Sequence, residues 1–128
     1  RSSQHLAGVK ILLVEDVYIN SVMAKTMLKN WKAEVDLAEN GQIAIEMCLQ
    51  KNYDVILMDL QMPVMDGITA TTKIRELDPY IPIIALTASS SYETQNDIKA
   101  CGMDDFIAKP FNPYVLFETI KKRVARVI

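Results

Sequence analysis

Short, almost purely apolar runs that alternate with segments of helical periodicity constrain this sequence most. Residues 11–14, 55–58 and 83–86 are each four consecutive apolar residues. Strands of this kind are typical of a sheet whose two faces are both covered, because a sheet with one wet face shows alternating polar and apolar positions. The pattern therefore predicts a buried, parallel sheet with helices on both sides.

Five β-prone stretches occur in all, at residues 9–14, 33–38, 54–58, 82–86 and 105–108. Apolar residues at helical spacing separate them, near residues 19–28, 43–49, 68–77 and 92–100, and a fifth helix is predicted to start with Asn112 as N-cap and Pro113 as its first residue. Five consecutive βα units with short connections require parallel strands joined by right-handed crossovers. The sequence thus predicts an α/β fold, a flavodoxin-like doubly wound (βα)5 sandwich, with 2-1-3-4-5 as the common order of its five-stranded parallel sheet.

Length and composition fit one domain. The chain has 128 residues, 50% of them apolar, which suffices for a single core. We interpret residues 1–7 as a linker, or as a remnant of cloning a fragment of a longer protein, and residues 8–128 as the domain.

The charge and cysteine content exclude several classes of function. A net charge of −2 gives no basic field for nucleic acid or an anionic membrane, and two distant cysteines with one histidine do not suggest a zinc site or disulfides. Apolar runs of four residues are far short of the roughly 20 that cross a bilayer. We expect a domain in a reduced, cytoplasmic setting, without contact to nucleic acid or membrane, whose parent protein could be membrane-anchored.

Polar side chains follow or end four of the five predicted strands. They are Glu15 and Asp16 after the first, Asp59 on the third, Thr87 on the fourth and Lys109 after the fifth. In an open α/β sheet the carboxyl ends of the strands form the ligand-binding edge, so these side chains should converge. Three neighbouring carboxylates require a cation, and an all-oxygen set suits Mg²⁺, with Mn²⁺ as the alternative ion. A metal, an ammonium and a hydroxyl around one carboxylate indicate phosphoryl transfer.

These residues carry a family resemblance. Val14-Glu15-Asp16, the run from Met58 to Gly67 (M-D-L-Q-M-P-V-M-D-G), Leu86-Thr87-Ala88 and Lys109-Pro110-Phe111 resemble the receiver domain of two-component response regulators over about residues 8–128. Asn20, four residues after Asp16, and the D-L-Q-M-P-V-M-D-G run are similar to receivers attached to hybrid sensor histidine kinases.

The resemblance implies roles for the acidic residues. Asp59 is expected to be the phosphoacceptor, taking a phosphoryl group from phosphohistidine, while Lys109 offsets negative charge. Asp16, Asp59 and the backbone carbonyl of Gln61 are expected to bind the metal directly, and Glu15 to reach it through water.

The resemblance also implies a conformational switch. Thr87 would hold the transferred phosphoryl group, and Phe106, three residues before Lys109, would rotate into the space that the hydroxyl leaves. The family further implies a cis Lys109–Pro110 bond and places Gln61 and Ser89 where the dephosphorylation rate is tuned. The face formed by the fourth helix, fifth strand and fifth helix is expected to change.

The implied partner is a histidine kinase or a histidine phosphotransfer domain, and the domain would catalyse only its own aspartyl phosphorylation and dephosphorylation. A hybrid sensor kinase is the expected parent, whereas a stand-alone single-domain regulator and a degenerate receiver that only binds protein stay open, as does the oligomeric state. A dinucleotide binder is excluded because Glu15-Asp16 follow the first strand where phosphate would need a glycine-rich loop. An aspartate-dependent phosphatase is disfavoured because Gln61 stands where its general acid is expected.

Overall fold

Five strands alternate with five helices along residues 5–124, the part of the chain that a computed structural model describes. The strands are β1 (Lys10–Val14), β2 (Glu34–Ala38), β3 (Val55–Asp59), β4 (Ile83–Thr87) and β5 (Asp105–Ala108), and the helices are α1 (Tyr18–Asn30), α2 (Gly41–Gln50), α3 (Gly67–Leu77), α4 (Tyr92–Cys101) and α5 (Pro113–Arg123). All four strand pairings are parallel, and the order is β2-β1-β3-β4-β5. The predicted fold class and strand order are confirmed.

The sheet separates two apolar layers. Ile11 and Leu13 of β1 face a cluster completed by α1 and α5, whereas Leu12 and Val14 face a cluster completed by α2, α3 and α4. β3 and β4 are buried at every position. This two-sided burial explains why the central strands are apolar almost without interruption.

Side-chain caps fix where four helices begin, immediately after the loops at the carboxyl edge of the sheet. Asn40, Asp66, Ser91 and Asn112 each accept a hydrogen bond from a backbone N–H of the first turn of α2, α3, α4 and α5, respectively. Pro113 follows Asn112 as the first helical residue, as predicted. The caps satisfy donors that a helix start would otherwise leave unpaired, and so they set the length of the loops around the site.

The buried face of α1 differs from the simple apolar periodicity of its sequence. Its buried residues are Ser21, Ala24 and Leu28, whereas Ile19 is 60% exposed and Met23 is 48% exposed. The small residues Ser21 and Ala24 face the sheet, whereas Ile19 and Met23 lie toward solvent. The helix was predicted, but its inward face was not.

The hydrophobic core includes a residue that precedes residue 8. Leu6 is fully buried within the α1/α5 layer, and its backbone N–H donates to the carbonyl of Trp31. At least this residue of the predicted linker therefore belongs to the core. Residues 1–4 of that linker, and residues 125–128 at the other end, lie outside the described residues.

No helix within residues 5–124 has the length and apolarity to cross a membrane. The 13 residues of α1 compare with the roughly 20 apolar residues that a bilayer requires.

Candidate functional site

The carboxyl ends of the strands surround a cavity of about 290 Å³. It is lined by Asp16 and Val17 from the β1–α1 loop, Asp59 at the end of β3, Thr87 at the end of β4 and Lys109 after β5. The other lining residues belong to the β3–α3 and β4–α4 loops and to α4: Leu60, Gln61, Ala88, Ser89 and Thr94. The sheet thus brings together side chains that lie up to 93 positions apart in the sequence.

Three carboxylates form the acidic part of the site. Glu15, Asp16 and Asp59 each offer one oxygen, and these oxygens lie within 4.8 Å of one another. Glu15 and Asp59 are buried, whereas Asp16 is exposed. Glu15 also accepts a hydrogen bond from the backbone N–H of Val17 at 3.2 Å, and Asp59 accepts one from Gln61 at 3.3 Å. An all-oxygen group of this kind could hold a hard divalent cation.

Lys109 joins two of these carboxylates. Its Nζ lies 3.1 Å from Oε1 of Glu15 and 3.2 Å from Oδ2 of Asp59. The backbone N–H of Lys109 donates to the carbonyl of Thr87 at 2.8 Å, and the Lys109–Pro110 peptide bond is cis. The ammonium therefore offsets part of the repulsion between two buried negative charges.

The electrostatics of the cluster are set by burial. Burial, followed by the negative charge of Glu15, raises the pKa of Asp59 to about 6, although the Lys109 ammonium acts in the opposite direction. Burial lowers the pKa of Lys109, but Glu15 and Asp59 more than offset that effect, so the net pKa of Lys109 is raised. The lysine stays a cation at neutral pH, and Asp59 holds its negative charge at a free-energy cost.

Thr87 makes its hydrogen bonds within the β4–α4 loop. Its hydroxyl donates to the carbonyl of Ser89 at 2.9 Å and accepts from the N–H of Ser89 at 3.0 Å. The residue is buried at the end of β4 and lines the cavity. Both hydrogen-bonding functions of the hydroxyl are therefore engaged by its own loop in this conformation.

Phe106 is not brought to the cavity. It lies half-buried on β5, paired with Ala85 of β4, and packs against the apolar layer under α2, α3 and α4. Its predicted role as a switch therefore has to act through the layer beneath α4, and it stays a prediction.

Glycine allows α3 to begin directly against the end of β3. A Cβ atom at Gly67 would collide with the backbone carbonyl of Asp59 and would lie 3.0 Å from Cα of Leu60. The N–H of Gly67 donates to the carbonyl of Leu60 at 2.9 Å. This close approach folds the β3–α3 loop, which carries Gln61, back over the site.

Thr94 lines the cavity but was not recognised as a site residue in the sequence. It belongs to the first turn of α4, and its hydroxyl lies 3.2 Å from Oγ of Ser89 and 3.0 Å from Oγ of Ser91. A serine directly before a helical segment, such as Ser91, indicates an N-cap. It does not indicate which way the helix packs, so only the tertiary structure places Thr94 beside the cavity.

Comparison with known proteins identifies close relatives. The response regulator receiver domain family matches residues 11–121. Hybrid signal transduction histidine kinase B of Dictyostelium discoideum is 40% identical over 90% of this chain, which spans only 7% of the length of that relative.

Solved structures agree with the sequence match. The receiver domain of the sensor histidine kinase PA1611 from Pseudomonas aeruginosa, with a magnesium ion coordinated in its active site cleft, is 36% identical, has a TM-score of 0.87, and the match covers 93% of this chain and 99% of that one. A co-crystal structure of the Saccharomyces cerevisiae histidine phosphotransfer protein Ypd1 with the receiver domain of the response regulator Ssk1 gives 30% identity and a TM-score of 0.88, over 94% of this chain and 92% of that one.

Proposed function

Because the chain belongs to the response regulator receiver domain family, we propose that Asp59 accepts a phosphoryl group from a phosphohistidine and that the domain changes conformation in response. The observation that carries the proposal is the position of the Asp59 carboxylate, which ends β3 at the cavity, 3.2 Å from the Lys109 ammonium and within the acidic cluster.

The donor set fits a magnesium ion. Glu15, Asp16 and Asp59 provide only oxygen atoms, and two of these carboxylates are buried with a single ammonium between them. We propose that Asp16, Asp59 and the carbonyl of Gln61 bind Mg²⁺ directly, that Glu15 binds through water, and that Mn²⁺ is the alternative ion. When bound, the ion supplies charge neutralisation for the incoming phosphoryl oxygens.

The transfer step is a simple displacement. An oxygen of the Asp59 carboxylate forms the bond to phosphorus while the phosphorus–nitrogen bond breaks, and the electron pair of that bond returns to the imidazole of the donor. The Lys109 ammonium, already beside Asp59, balances charge on the phosphoryl oxygens. The Thr87 hydroxyl then turns from the Ser89 carbonyl and donates to a phosphoryl oxygen.

The exposed start of α1 is the proposed docking surface for the phosphohistidine donor. Val17 lines the cavity, and the exposed apolar side chains that continue from it along the helix are Tyr18, Ile19, Val22 and Met23. An apolar patch at the rim of a polar cavity is typical of a protein interface. A histidine that reaches Asp59 has to belong to a partner that covers this rim, and we assign that role to a histidine phosphotransfer domain or a histidine kinase.

The proposed parent protein is a hybrid sensor histidine kinase, and the proposed location of this domain is the cytoplasm. The identity to a Dictyostelium hybrid kinase supports this placement over a stand-alone regulator. The acidic, Thr87 and Lys109 positions are all filled, which favours a working phosphoacceptor over a degenerate receiver.

Phosphotransfer from a histidine phosphotransfer protein tests the function. The donor is loaded with labelled phosphate on its histidine and mixed with wild-type protein, the Asp59→Asn variant or the Tyr18→Ala variant, with Mg²⁺ or with EDTA. We expect rapid label transfer to wild type with Mg²⁺, none to Asp59→Asn, and slowed transfer to Tyr18→Ala. Label that stays on several histidine donors while the folded wild type takes none would favour the degenerate receiver.

A further inference from the structure

Helix α4 is anchored unequally at its two ends. Ile98, in its second half, is the only buried residue of the helix, and Tyr92 in the first turn is 81% exposed. The first half of α4 therefore contributes no buried apolar side chain to the core. Its position depends instead on polar contacts with the β4–α4 loop.

A chain of hydroxyl groups connects the first turn of α4 to the phosphoryl site. Thr87 bonds to the backbone of Ser89, and Oγ of Ser89 lies 3.2 Å from Oγ1 of Thr94. Oγ1 of Thr94 also accepts from Oγ of Ser91, the N-cap, at 3.0 Å. Ser89 thus touches Thr87 through its main chain and α4 through its side chain.

Arg75 fixes the other end of α4. Its guanidinium donates to the carbonyl of Gly102, the C-cap of α4, at 2.8 Å, and to the carbonyl of Ile81 at 2.7 Å. It also pairs with the carboxylate of Asp104 at 3.0 Å, which in turn accepts from the N–H of Ile83 at 2.9 Å. One largely buried arginine therefore joins the end of α3, the start of β4 and the α4–β5 turn.

We propose that Thr94 is a positioning residue that couples the phosphoryl site to α4, so that α4 acts as a lever that moves at its first turn and pivots near Arg75. The inference rests on the proposed function. When Thr87 turns toward a phosphoryl oxygen, it releases both hydrogen bonds to Ser89. The contact between Ser89 and Thr94 then loosens, and the first turn of α4 moves while its last turn stays with Arg75.

Amide hydrogen exchange along α4 tests the coupling, with Thr94→Val and Thr94→Ser as the matched pair. Valine keeps the shape of threonine but lacks the hydroxyl, and serine keeps the hydroxyl. In unphosphorylated protein, we expect Thr94→Val to speed exchange in residues 92–95 about 3- to 10-fold, the effect of one lost hydrogen bond, and Thr94→Ser to match wild type. Equal exchange rates in wild type, Thr94→Val and Thr94→Ser would overturn the proposal. This comparison does not require phosphorylated protein.

The same measurement after phosphorylation tests the pivot. With acetyl phosphate and Mg²⁺, we expect wild-type exchange to rise in residues 92–95 and not in residues 99–102, and Thr94→Val to show little further rise. Ser91→Ala controls for capping alone, because it should speed exchange by the same factor before and after phosphorylation. An exchange rate that changes equally along α4, or that does not change in protein that carries the phosphate, contradicts the lever. If the mass spectrum shows no phosphate adduct, the result contradicts the proposed function instead.

An Arg75→Lys variant tests the fixed end. Lysine keeps the positive charge but cannot reach several carbonyl groups at once. We expect phosphorylation of this variant to speed exchange in residues 99–102 as well as in residues 92–95. Protection of residues 99–102 equal to that of wild type would show that Arg75 is not the pivot.

Discussion

At the scale of single residues, Asp59 illustrates the conflict between function and stability. Burial, and secondly Glu15, raises its pKa to about 6 from an ordinary value of 3.8. The folded state thus binds this proton more tightly than the unfolded state. The stability that Asp59 contributes is complete below about pH 4 and is lost as the pH rises through about 6.

Asp59→Asn should therefore stabilise the metal-free protein at pH 7.5. An amide carries no charge, so we expect the free energy of unfolding in EDTA to rise by about 1–3 kcal/mol, and the difference from wild type to shrink toward pH 4. Urea denaturation at the two pH values measures it. Asp66→Asn is the control, because asparagine keeps the cap of α3 and should change stability by less than about 0.5 kcal/mol. A destabilised Asp59→Asn protein at pH 7.5 would contradict the prediction.

Thr71 offers a second test at the residue scale. Its hydroxyl is fully buried in α3 and has no hydrogen-bond partner among the described residues. We expect Thr71→Val to raise the free energy of unfolding by about 1 kcal/mol, because it removes an unpaired polar group and keeps the shape. The exposed Thr72, whose hydroxyl donates to the carbonyl of Ile68 at 3.0 Å, is the control, and Thr72→Val should not stabilise. Equal effects of the two substitutions would show that burial of the Thr71 hydroxyl is not what matters.

At the scale of secondary structure, the sequence predicts each strand and helix but not every buried face. β3 and β4 are apolar because both of their faces are covered, and Asn112-Pro113 starts α5 through a local cap, so both features can be read from neighbouring residues. Which side of α1 is buried depends on how close the helix lies to the sheet. The position of Thr94 likewise depends on the packing of α4, and neither is encoded in local periodicity.

The junction of β3 and α3 gives a prediction at this scale. Gly67→Ala places a methyl group against the carbonyl of Asp59, so either the loop or the helix start must shift. We expect a loss of about 1–3 kcal/mol in stability and slower phosphorylation of Asp59, measured by urea denaturation and by intact mass. Thr72→Ala, on an exposed turn of the same helix, should leave the phosphorylation rate unchanged. A Gly67→Ala protein with wild-type stability and rate would show that the close approach is not required.

At the scale of the whole molecule, a bound cation would relieve the repulsion between carboxylates that only the folded state brings together. The oxygens of Glu15, Asp16 and Asp59 lie within 4.8 Å of one another only because the ends of β1 and β3 are neighbours in the folded sheet, so Mg²⁺ should bind the folded chain and not the unfolded one. We expect Mg²⁺ to raise the melting temperature progressively, with a gain of about 2.7 kcal/mol at 100 times its Kd. Calorimetry is the suitable readout, because Trp31 lies beyond the far end of the 13-residue α1, about 20 Å from the site.

Asp16→Asn provides the control for this metal effect. Asp16 is exposed and is not paired with Lys109, so its loss should weaken the response to Mg²⁺ while the metal-free melting temperature changes little. An identical Mg²⁺ response in wild type and Asp16→Asn would place the ion elsewhere.

Intact-mass spectrometry after incubation with acetyl phosphate tests most directly whether Asp59 is the phosphoacceptor. Wild type, Asp59→Asn and Asp66→Asn are each incubated with Mg²⁺ or with EDTA, and the products are treated with hydroxylamine, which cleaves acyl phosphates. We expect one phosphate on wild type and on Asp66→Asn, only with Mg²⁺ and removed by hydroxylamine, and none on Asp59→Asn. An adduct of equal yield on Asp59→Asn, or none on folded wild type, would contradict phosphorylation at Asp59.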